Sequence, residues 1–305
     1  MTERYRGRFA PSPTGPLHFG SLLAAMGSYL QARSQQGQWL LRIEDLDPPR
    51  EQPGAAEAIL RSLEAFGFEW DGEVCWQSRR HPHYRAVLAD LLDQGLAYRC
   101  DCSRRELGER LRQRGGMAGV YDGYCRMRQI SAHKQHAVRL LTEGAEIHFT
   151  DPVQGSCSQD LERELGDFVL RRADGLFAYQ LAVVVDDAAQ GITEVVRGSD
   201  LLDSTARQIW LQRSLGYPQP RYLHLPVALN RTGQKLSKQT FAPALDPHHA
   251  VALLHQALDF LGQCPPPELL EANPEELWRW AREHWQADAI PRKLAISAPH
   301  TDPGQ

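Results

Sequence analysis

The chain has 305 residues, 42% of them hydrophobic and 24% charged, which is ordinary for a globular protein of one or two domains. Its formal net charge of -4 excludes a global basic field for nucleic acid, although a local patch could still contact RNA. No apolar run suits a transmembrane helix and no secretory signal opens the chain, so we expect a cytoplasmic protein without a membrane partner. Six cysteines in this length do not predict a disulfide framework.

The first half of the sequence alternates strand and helix patterns. A short strand is predicted over 6–10, and apolar residues at helical spacing predict a helix over 20–34. A second strand follows over 38–43, and then helices over 55–66 and 84–94. Short connections between such elements are typical of βαβ units, so the sequence predicts an α/β fold with a parallel sheet.

The pattern changes after Tyr98. Periodicity is weak from 98 to 174, which predicts an insertion into the α/β fold. The apolar run 181–185 (LAVVV) then predicts a buried strand, and 201–215 a helix. After Ala289 the sequence lacks periodicity, and we expect a frayed tail.

A Pro- and Gly-rich segment, 11–20 (PSPTGPLHFG), joins the first predicted strand to the first helix. Small residues let a ligand approach the backbone, and a helix N-terminus offers N–H groups to a phosphate. His18 could donate a hydrogen bond to a phosphate oxygen from this position. The alternative is a loop whose histidine caps the helix, and the segment alone does not distinguish the two.

A second segment, 235–238 (KLSK), has two lysines and a serine after Gly233. It suits a mobile clamp on a triphosphate, but alone it would be interpreted as a solvated charged loop. Together, in this order and at this separation, the two segments resemble the HIGH and KMSKS motifs of class I aminoacyl-tRNA synthetases.

Further segments narrow the resemblance to the glutamyl/glutaminyl subgroup. They are 8–15 (RFAPSPTG), 41–47 (LRIEDLD), 179–187 (YQLAVVVDD) and 196–202 (VRGSDLL). The resemblance implies a class I synthetase Rossmann-type parallel sheet with a zinc-containing insertion and a helical C-terminal part. The expected domains are a catalytic domain over 1–97 and 175–240, an inserted acceptor-like subdomain over 98–174, and a helical C-terminal extension over 241–305.

The C-terminal part is shorter than the anticodon-binding domain of the full-length glutamyl enzymes. In this the chain resembles the glutamyl-queuosine tRNA(Asp) synthetases, which attach glutamate to queuosine in the anticodon loop of tRNA(Asp). The implied partners are ATP, L-glutamate and queuosine-containing tRNA(Asp), and we expect a monomer. The alternatives are a minimal glutamyl-tRNA synthetase that charges the 3′ end of tRNA, and a silent paralogue that binds adenylate. The complete motifs argue against the silent paralogue, and the short C-terminal part argues against the minimal synthetase.

The resemblance also implies which residues bind glutamate, whose two carboxylates and one ammonium group each need a charged partner when buried. Arg8 and Arg197 suit the carboxylates because a guanidinium donates to two oxygens at once. Glu44 suits the ammonium group, and Tyr179 can hydrogen-bond the substrate. Lining positions carried over from the same motif are Phe9, Ala10, Pro11 and Ser12.

For the nucleotide, the resemblance assigns catalytic roles to His18 and Lys238. ATP would also contact Gly20, Lys235 and Ser237, and Mg²⁺ would accompany it. Ser21 stands where the motif usually has its last histidine, so the phosphate contacts rest on one histidine fewer.

The predicted insertion contains a possible metal site. Cys100 and Cys102 are followed by Cys125, and zinc favours four ligands drawn from such side chains. The residues alone leave free thiols as the alternative, with His133 or His136 as the first candidates for a fourth ligand. The family resemblance instead implies Tyr121 as the fourth ligand of one structural Zn²⁺.

Overall fold

The structure is a computed structural model that describes residues 4–114, 119–236 and 242–298. Its strands are β1 (Arg6–Phe9), β2 (Gln38–Ile43), β3 (Cys75–Trp76), β4 (Ala97–Cys100), β5 (Ala137–Leu140), β6 (Glu146–Asp151), β7 (Gly155–Asp160), β8 (Phe168–Arg171), β9 (Glu194–Gly198), β10 (Arg221–Leu225), β11 (Val227–Leu229) and β12 (Ala295–Ser297). Its α-helices are α1 (Phe19–Ser34), α2 (Ala55–Ala65), α3 (His81–Asp93), α4 (Arg104–Arg114), α5 (Leu161–Glu164), α6 (Tyr179–Ala189), α7 (Leu202–Leu215), α8 (Ala250–Phe260) and α9 (Pro274–His284).

Parallel strands form the centre of the molecule. β1 pairs with β2, β2 with β3, and β9 with β10, all in parallel. The N–H of Thr193, just before β9, donates to the carbonyl O of Arg6 at 2.9 Å, so β9 continues the sheet beside β1. Strands covered on both faces are apolar almost throughout, as β2 (QWLLRI) is.

Helix α1 covers this sheet with the apolar residues predicted from its helical spacing: Leu22, Leu23, Met26, Tyr29 and Leu30, all buried. Gly27 permits the close approach, because a Cβ there would lie 2.6 Å from Cδ1 of Leu225 in β10. Helices α8 and α9 pack on the other side of α1 and complete the core.

Antiparallel strands occupy the segment between α3 and α6. β5 lies between β4 and β8, and β6 and β7 form a separate hairpin. The hairpin contacts β10 and α7. It therefore reaches from the antiparallel region to the parallel sheet.

Two sequence expectations were wrong. Residues 181–185 are not a strand but the middle of α6, in which every residue from Gln180 to Asp187 is buried. A helix covered on all sides has no amphipathic period, and its β-branched residues imitate a buried strand. The described part of the expected frayed tail, 290–298, also forms structure, since β12 pairs in parallel with β11 and the carbonyl O of Leu294 accepts a hydrogen bond from Oγ of Ser199 at 2.5 Å.

No helix in the described ranges has the length and apolar character needed to cross a bilayer.

Candidate active site and candidate metal centre

Two of the sequence motifs meet where β1 and β2 end. The N–H of Glu44 donates to the carbonyl O of Pro11 at 3.0 Å, so the segments that follow the two strands lie side by side. The carboxyl edge of a parallel sheet is the usual ligand position in α/β folds. The predicted lining residues end β1 or follow it: Phe9, Ala10, Pro11 and Ser12.

Arg8 is buried beside a carboxylate to which the sequence gave no role. Its Nε and Nη2 donate to Asp187 of α6 at 3.1 and 3.4 Å. Arg42 donates to the same carboxylate at 2.8 Å and to Oε1 of Gln190 at 2.6 Å. Burial opposes ionisation of Asp187, but Arg8 and Arg42 outweigh it and lower its pKa. The carboxylate therefore fixes both guanidinium groups.

Glu44 lies next to this cluster. Its Oε1 is 3.5 Å from Nη2 of Arg42, and among the described residues it has no hydrogen-bond partner. Burial raises the pKa of Glu44 to about 7, although Arg42 and Arg8 oppose the shift. A buried carboxyl oxygen without a hydrogen bond is costly, and a cationic ligand would satisfy it.

Arg197 of β9 is 4% exposed and is surrounded by neutral acceptors. No carboxylate in the described part of the chain lies within ion-pair distance of its guanidinium, although a buried charge is normally paired. Its hydrogen bonds, of 2.8 to 3.3 Å, go to His224 Nε2, Tyr179 Oη, Gln208 Oε1, Leu201 O and Thr205 Oγ1.

Tyr179, the first residue of α6, lies between Arg197 and the cluster that contains Arg8 and Glu44. Its hydroxyl accepts a hydrogen bond from Nη1 of Arg197 at 3.3 Å. Burial raises the pKa of Tyr179, and the nearby carboxylate of Glu44 adds to this shift. Arg197 and Arg8 oppose it. The structure thus brings together the four residues for which the sequence predicted glutamate contacts.

Sequence reasoning missed the residues that support these four. Arg42 and Asp187 fall inside quoted motifs, so a signal for them existed, but nothing indicated that they pair. His224 is a single histidine in an apolar strand, and Asp151 ends a hairpin strand of the antiparallel region. No spacing or motif in the sequence identifies these last two.

On the nucleotide side, His18 is the N-cap of α1. Its Nδ1 accepts from the N–H of Ser21 at 3.3 Å, while Ser21 Oγ accepts from the N–H of His18 at 3.4 Å. Ser21 therefore completes a reciprocal helix cap where the motif usually has a histidine. A Cβ on Gly20 would lie 3.1 Å from Cε1 of His18 and 3.4 Å from the carbonyl O of Leu236. The first part of the KLSK segment hence reaches the start of α1.

Of the predicted clamp residues, Lys235 is described, with Nζ 2.5 Å from Oδ2 of Asp200. Ser237 and Lys238 lie outside the described residues.

The three predicted cysteine ligands form a cluster. The sulfur atoms of Cys100, Cys102 and Cys125 lie within 4.8 Å of one another, with 3.3 Å between those of Cys102 and Cys125. The hydroxyl of Tyr121 is 3.4 Å from Cys100 Sγ and 3.9 Å from Cys102 Sγ. Tetrahedral zinc with sulfur at about 2.3 Å separates its ligands by about 3.8 Å, so these three cysteines could hold a metal ion.

The two histidines considered as fourth ligands are not in this cluster. Nδ1 of His136 is 2.6 Å from the carbonyl O of Lys134, and its Nε2 is 3.2 Å from Nη2 of Arg171. His133 is exposed. Among the described residues, the group that could bind a metal ion here contains three cysteines and no histidine.

Guanidinium groups surround the sulfur cluster. Nη2 of Arg110 donates to Cys102 Sγ at 3.3 Å, and Nη1 of Arg128 donates to Cys125 Sγ at 3.4 Å. Three thiolates with one divalent cation carry a net negative charge, which these cations would offset.

Comparisons with known proteins agree on one family. Residues 4–250 match the family model described as class I tRNA synthetases (E and Q), catalytic domain. A protein of Ectopseudomonas mendocina (strain ymp) called glutamyl-Q tRNA(Asp) synthetase is 56% identical over 299 residues, which cover 97% of this chain and 98% of the relative. One of the same name from Dechloromonas aromatica (strain RCB) is 57% identical over 302 residues, covering 98% of this chain and 100% of the relative.

A solved structure gives the same result at the level of the fold. The glutamate tRNA ligase of Elizabethkingia meningosepticum CCUG26117, in complex with its amino acid, superimposes with a TM-score of 0.80 at 26% sequence identity. The match covers 97% of this chain and 67% of that protein.

Proposed function

This chain belongs to the glutamyl-Q tRNA(Asp) synthetase family within the class I (E and Q) tRNA synthetases, and on that premise we propose that it activates L-glutamate with ATP and transfers it to tRNA. In the first step an α-carboxylate oxygen bonds to the α-phosphorus of ATP, and the bond to the bridging oxygen of pyrophosphate breaks. In the second, an RNA hydroxyl attacks the acyl carbon, loses its proton and displaces AMP. A carboxylate is ionised at neutral pH, so the first step needs no general base.

The observation that carries this proposal is the charge pattern of the glutamate pocket. Within the ranges that the structure describes, Arg197 is a buried cation without a carboxylate partner, and Glu44 is a buried carboxyl with an oxygen that lacks a hydrogen bond. Glutamate supplies the missing partners, a carboxylate for Arg197 and an ammonium group for Glu44. Arg8 has Nη1 left for the second carboxylate, since Asp187 binds its other two nitrogens. Tyr179 would hydrogen-bond the substrate beside Arg197.

The phosphates would lie at the start of α1. Because Nδ1 of His18 accepts from the helix backbone, its neutral imidazole carries the proton on Nε2 and can donate it to a phosphate oxygen. Gly20 keeps this end of the helix open to the 230–236 loop. Lys235, Ser237 and Lys238 would bring cationic and hydroxyl groups to the triphosphate, and Mg²⁺ would accompany ATP to neutralise its charge.

Pyrophosphate exchange tests the activation step. Enzyme, glutamate, ATP and Mg²⁺ should exchange labelled pyrophosphate into ATP without any tRNA. Lys238→Ala should lower the exchange rate by roughly a hundredfold or more, since it removes a charge contact made in the transition state. Arg279→Ala, on the exposed face of α9, is the control and should exchange at the wild-type rate. Full activity of Lys238→Ala would contradict the role of the loop.

For the acceptor we propose queuosine in the anticodon loop of tRNA(Asp). The names of the relatives, at more than half identity over nearly the whole chain, support this choice over the 3′-terminal ribose. RNA loops present splayed bases that a protein can bind one at a time. Transfer should therefore depend on queuosine, and tRNA(Asp) from queuosine-deficient cells should accept no glutamate. Equal labelling of both tRNAs would contradict the proposal.

The cysteine cluster would hold one structural zinc. Cys100, Cys102 and Cys125 supply three sulfur ligands at fitting separations, and the Tyr121 hydroxyl is the nearest further donor. The ion would join β4 to the 121–125 turn and stabilise this part of the antiparallel region. Gly166 has a supporting role, because a Cβ on it would lie 2.2 Å from the carbonyl O of Tyr121.

A further inference from the structure

A second cavity opens beside the glutamate pocket. It has a volume of about 370 Å³ and is lined by the loop after β2 (45–51), by the segment that leads into α3 (78–85), and by the turn after β8 (171–177). Its first lining residue, Asp45, follows Glu44 directly in the chain. A molecule in this cavity would therefore be a neighbour of the bound amino acid.

Two arginines of this cavity make no ion pair with any described residue. Arg85 is exposed and makes no hydrogen bond or ion pair within the described ranges. Arg171 has a buried Nε without a partner, and its Nη2 is 3.2 Å from Nε2 of His136. Because Nδ1 of His136 can only donate to the carbonyl O of Lys134, the Nε2 of the neutral ring accepts from Arg171. Neither guanidinium is thus paired with a carboxylate of the described residues.

The negative charges of the cavity, in contrast, already accept hydrogen bonds from the protein. Asp45 accepts from the N–H and the hydroxyl of Ser78 at 2.9 and 2.6 Å. Glu51 accepts from the N–H of Asp47 at 3.0 Å. These carboxylates keep their charge, but neutral donors of the protein already engage their oxygens, whereas both guanidinium groups have N–H donors without a carboxylate partner among the described residues. Such donors favour an anion with several oxygens.

An aromatic side chain lies next to these arginines. The ring of Phe177 is half-buried, with its centroid 5.4 Å from that of His81 and 5.2 Å from that of Tyr84. Phe177 pairs with Arg171 through a backbone bridge, which keeps the ring and the guanidinium on one rigid turn. An aromatic ring beside unpaired arginines is the usual combination for an unstacked base with its phosphate.

We propose that this cavity binds one unpaired nucleotide of the acceptor RNA, with its base on Phe177 and its phosphate between Arg85 and Arg171. The inference rests on the proposed function, because it places the nucleotide beside the glutamyl-adenylate. It is distinct from the ATP site, since the phosphate motifs follow β1 and β11, whereas this cavity is formed after β2, β3 and β8. The nucleotide contacts would hold the RNA hydroxyl close to the acyl group.

Two activities measured on the same variants test this inference. Arg85→Ala, Phe177→Ala and the double variant Arg85→Ala/Arg171→Ala should keep pyrophosphate exchange near the wild-type rate. Their KM for tRNA in glutamate transfer should rise, by roughly tenfold for Phe177→Ala from the loss of one base stack. Phe177→Trp should restore transfer because it keeps an aromatic face. Arg85→Ala should also lower the slope of log affinity against log salt by about 0.7, the value of one phosphate contact on a single strand.

Arg279→Ala, which removes an exposed arginine from α9, is the control and should leave both activities unchanged. Unchanged transfer and salt dependence in Arg85→Ala, with exchange intact, would overturn this inference and leave the proposed function standing. Loss of pyrophosphate exchange together with glutamate transfer would also overturn this inference. The cavity would then be needed for ATP binding or for folding. Absence of glutamate-dependent exchange in the wild-type protein would contradict the proposed function itself.

Discussion

Asp151 and His224 form a fully buried pair, in which Oδ2 of the carboxylate lies 2.8 Å from Nδ1 of the imidazole. Burial lowers the pKa of His224 although Asp151 opposes the shift, and Arg197 lowers it further. The neutral ring therefore donates from Nδ1 to Asp151 and accepts from Nε of Arg197 at 3.1 Å through Nε2. A hairpin of the antiparallel region thus orients the arginine of the glutamate pocket.

Asp151→Asn should weaken glutamate binding more than it slows the chemical step. All the groups around this carboxylate are donors: the N–H groups of Val153, Gln154 and His224, and Nδ1 of the same histidine. An amide nitrogen cannot accept from them, so in either orientation one side of the amide loses its donors, and the loss of the negative charge weakens the hydrogen bond that fixes the tautomer of His224. We expect the KM for glutamate to rise by roughly tenfold, the equivalent of one charged hydrogen bond.

The matched control for this variant is Gln154→Ala. Gln154 docks the same hairpin through the carbonyl groups of His224 and Lys293, but it does not contact the imidazole. Pyrophosphate exchange at varied glutamate separates KM from kcat for both variants. Equal KM values in the two variants would show that Asp151 has no specific effect on Arg197.

Glutamine should be a poor substrate. An amide in place of the side-chain carboxylate leaves the arginine that binds it, Arg8 or Arg197, without the anion of the substrate. The loss of such a partner should lower kcat/KM by roughly a hundredfold or more. Exchange rates with glutamate and glutamine at equal concentration measure this ratio. A ratio near unity would contradict the assignment of two carboxylates to the pocket.

Glutamate binding should release protons near neutral pH. The pKa of Glu44, raised by burial to about 7, means that much of this group is protonated below that pH in the free protein. An ammonium ligand stabilises the ionised form, so binding lowers this pKa and affinity falls as the pH drops below about 7. Titration calorimetry at about pH 6.5 in buffers of different ionisation enthalpy should detect the released proton. At about pH 8.5 the release should vanish, and equal release at both values would contradict the role of Glu44.

The purified protein should contain about one zinc ion per chain, as a single tetrahedral site requires. Cys102→Ser should lose the metal and unfold at a lower temperature, while pyrophosphate exchange persists because the cluster lies far along the chain from the phosphate motifs. Cys264→Ser is the control, since that thiol is exposed and outside the cluster. Elemental analysis of the three proteins measures the metal. A metal-free wild-type protein of the same stability would contradict the site.

The class I fold was predictable from the sequence, and the family comparisons confirm it. Strand β2 occupies the predicted range 38–43, because a short apolar run between polar turns is typical of a buried strand. Helix α6 was mistaken for a strand because packing on all sides removed its helical period. Local periodicity fails where tertiary contacts cover every face of an element.

The charged residues of the site were predictable only through motifs. The motifs identified Arg8, Glu44 and Arg197 as single residues, but not the pairs that hold them. Arg42 and Asp187 are separated by 145 positions, and His224 and Asp151 by 73. Such pairs form when elements that are distant in the chain pack together. The spacing of residues in a single sequence does not predict this packing.

We propose that this activating enzyme modifies the anticodon loop of tRNA(Asp). The most direct measurement uses labelled glutamate with three substrates: intact tRNA(Asp), tRNA(Asp) trimmed of its 3′-terminal nucleotides, and tRNA(Asp) from queuosine-deficient cells. The proposed function predicts that labelling survives trimming and is absent without queuosine. Labelling that is lost on trimming but persists without queuosine would contradict it, and glutamate would then be attached to the 3′ end.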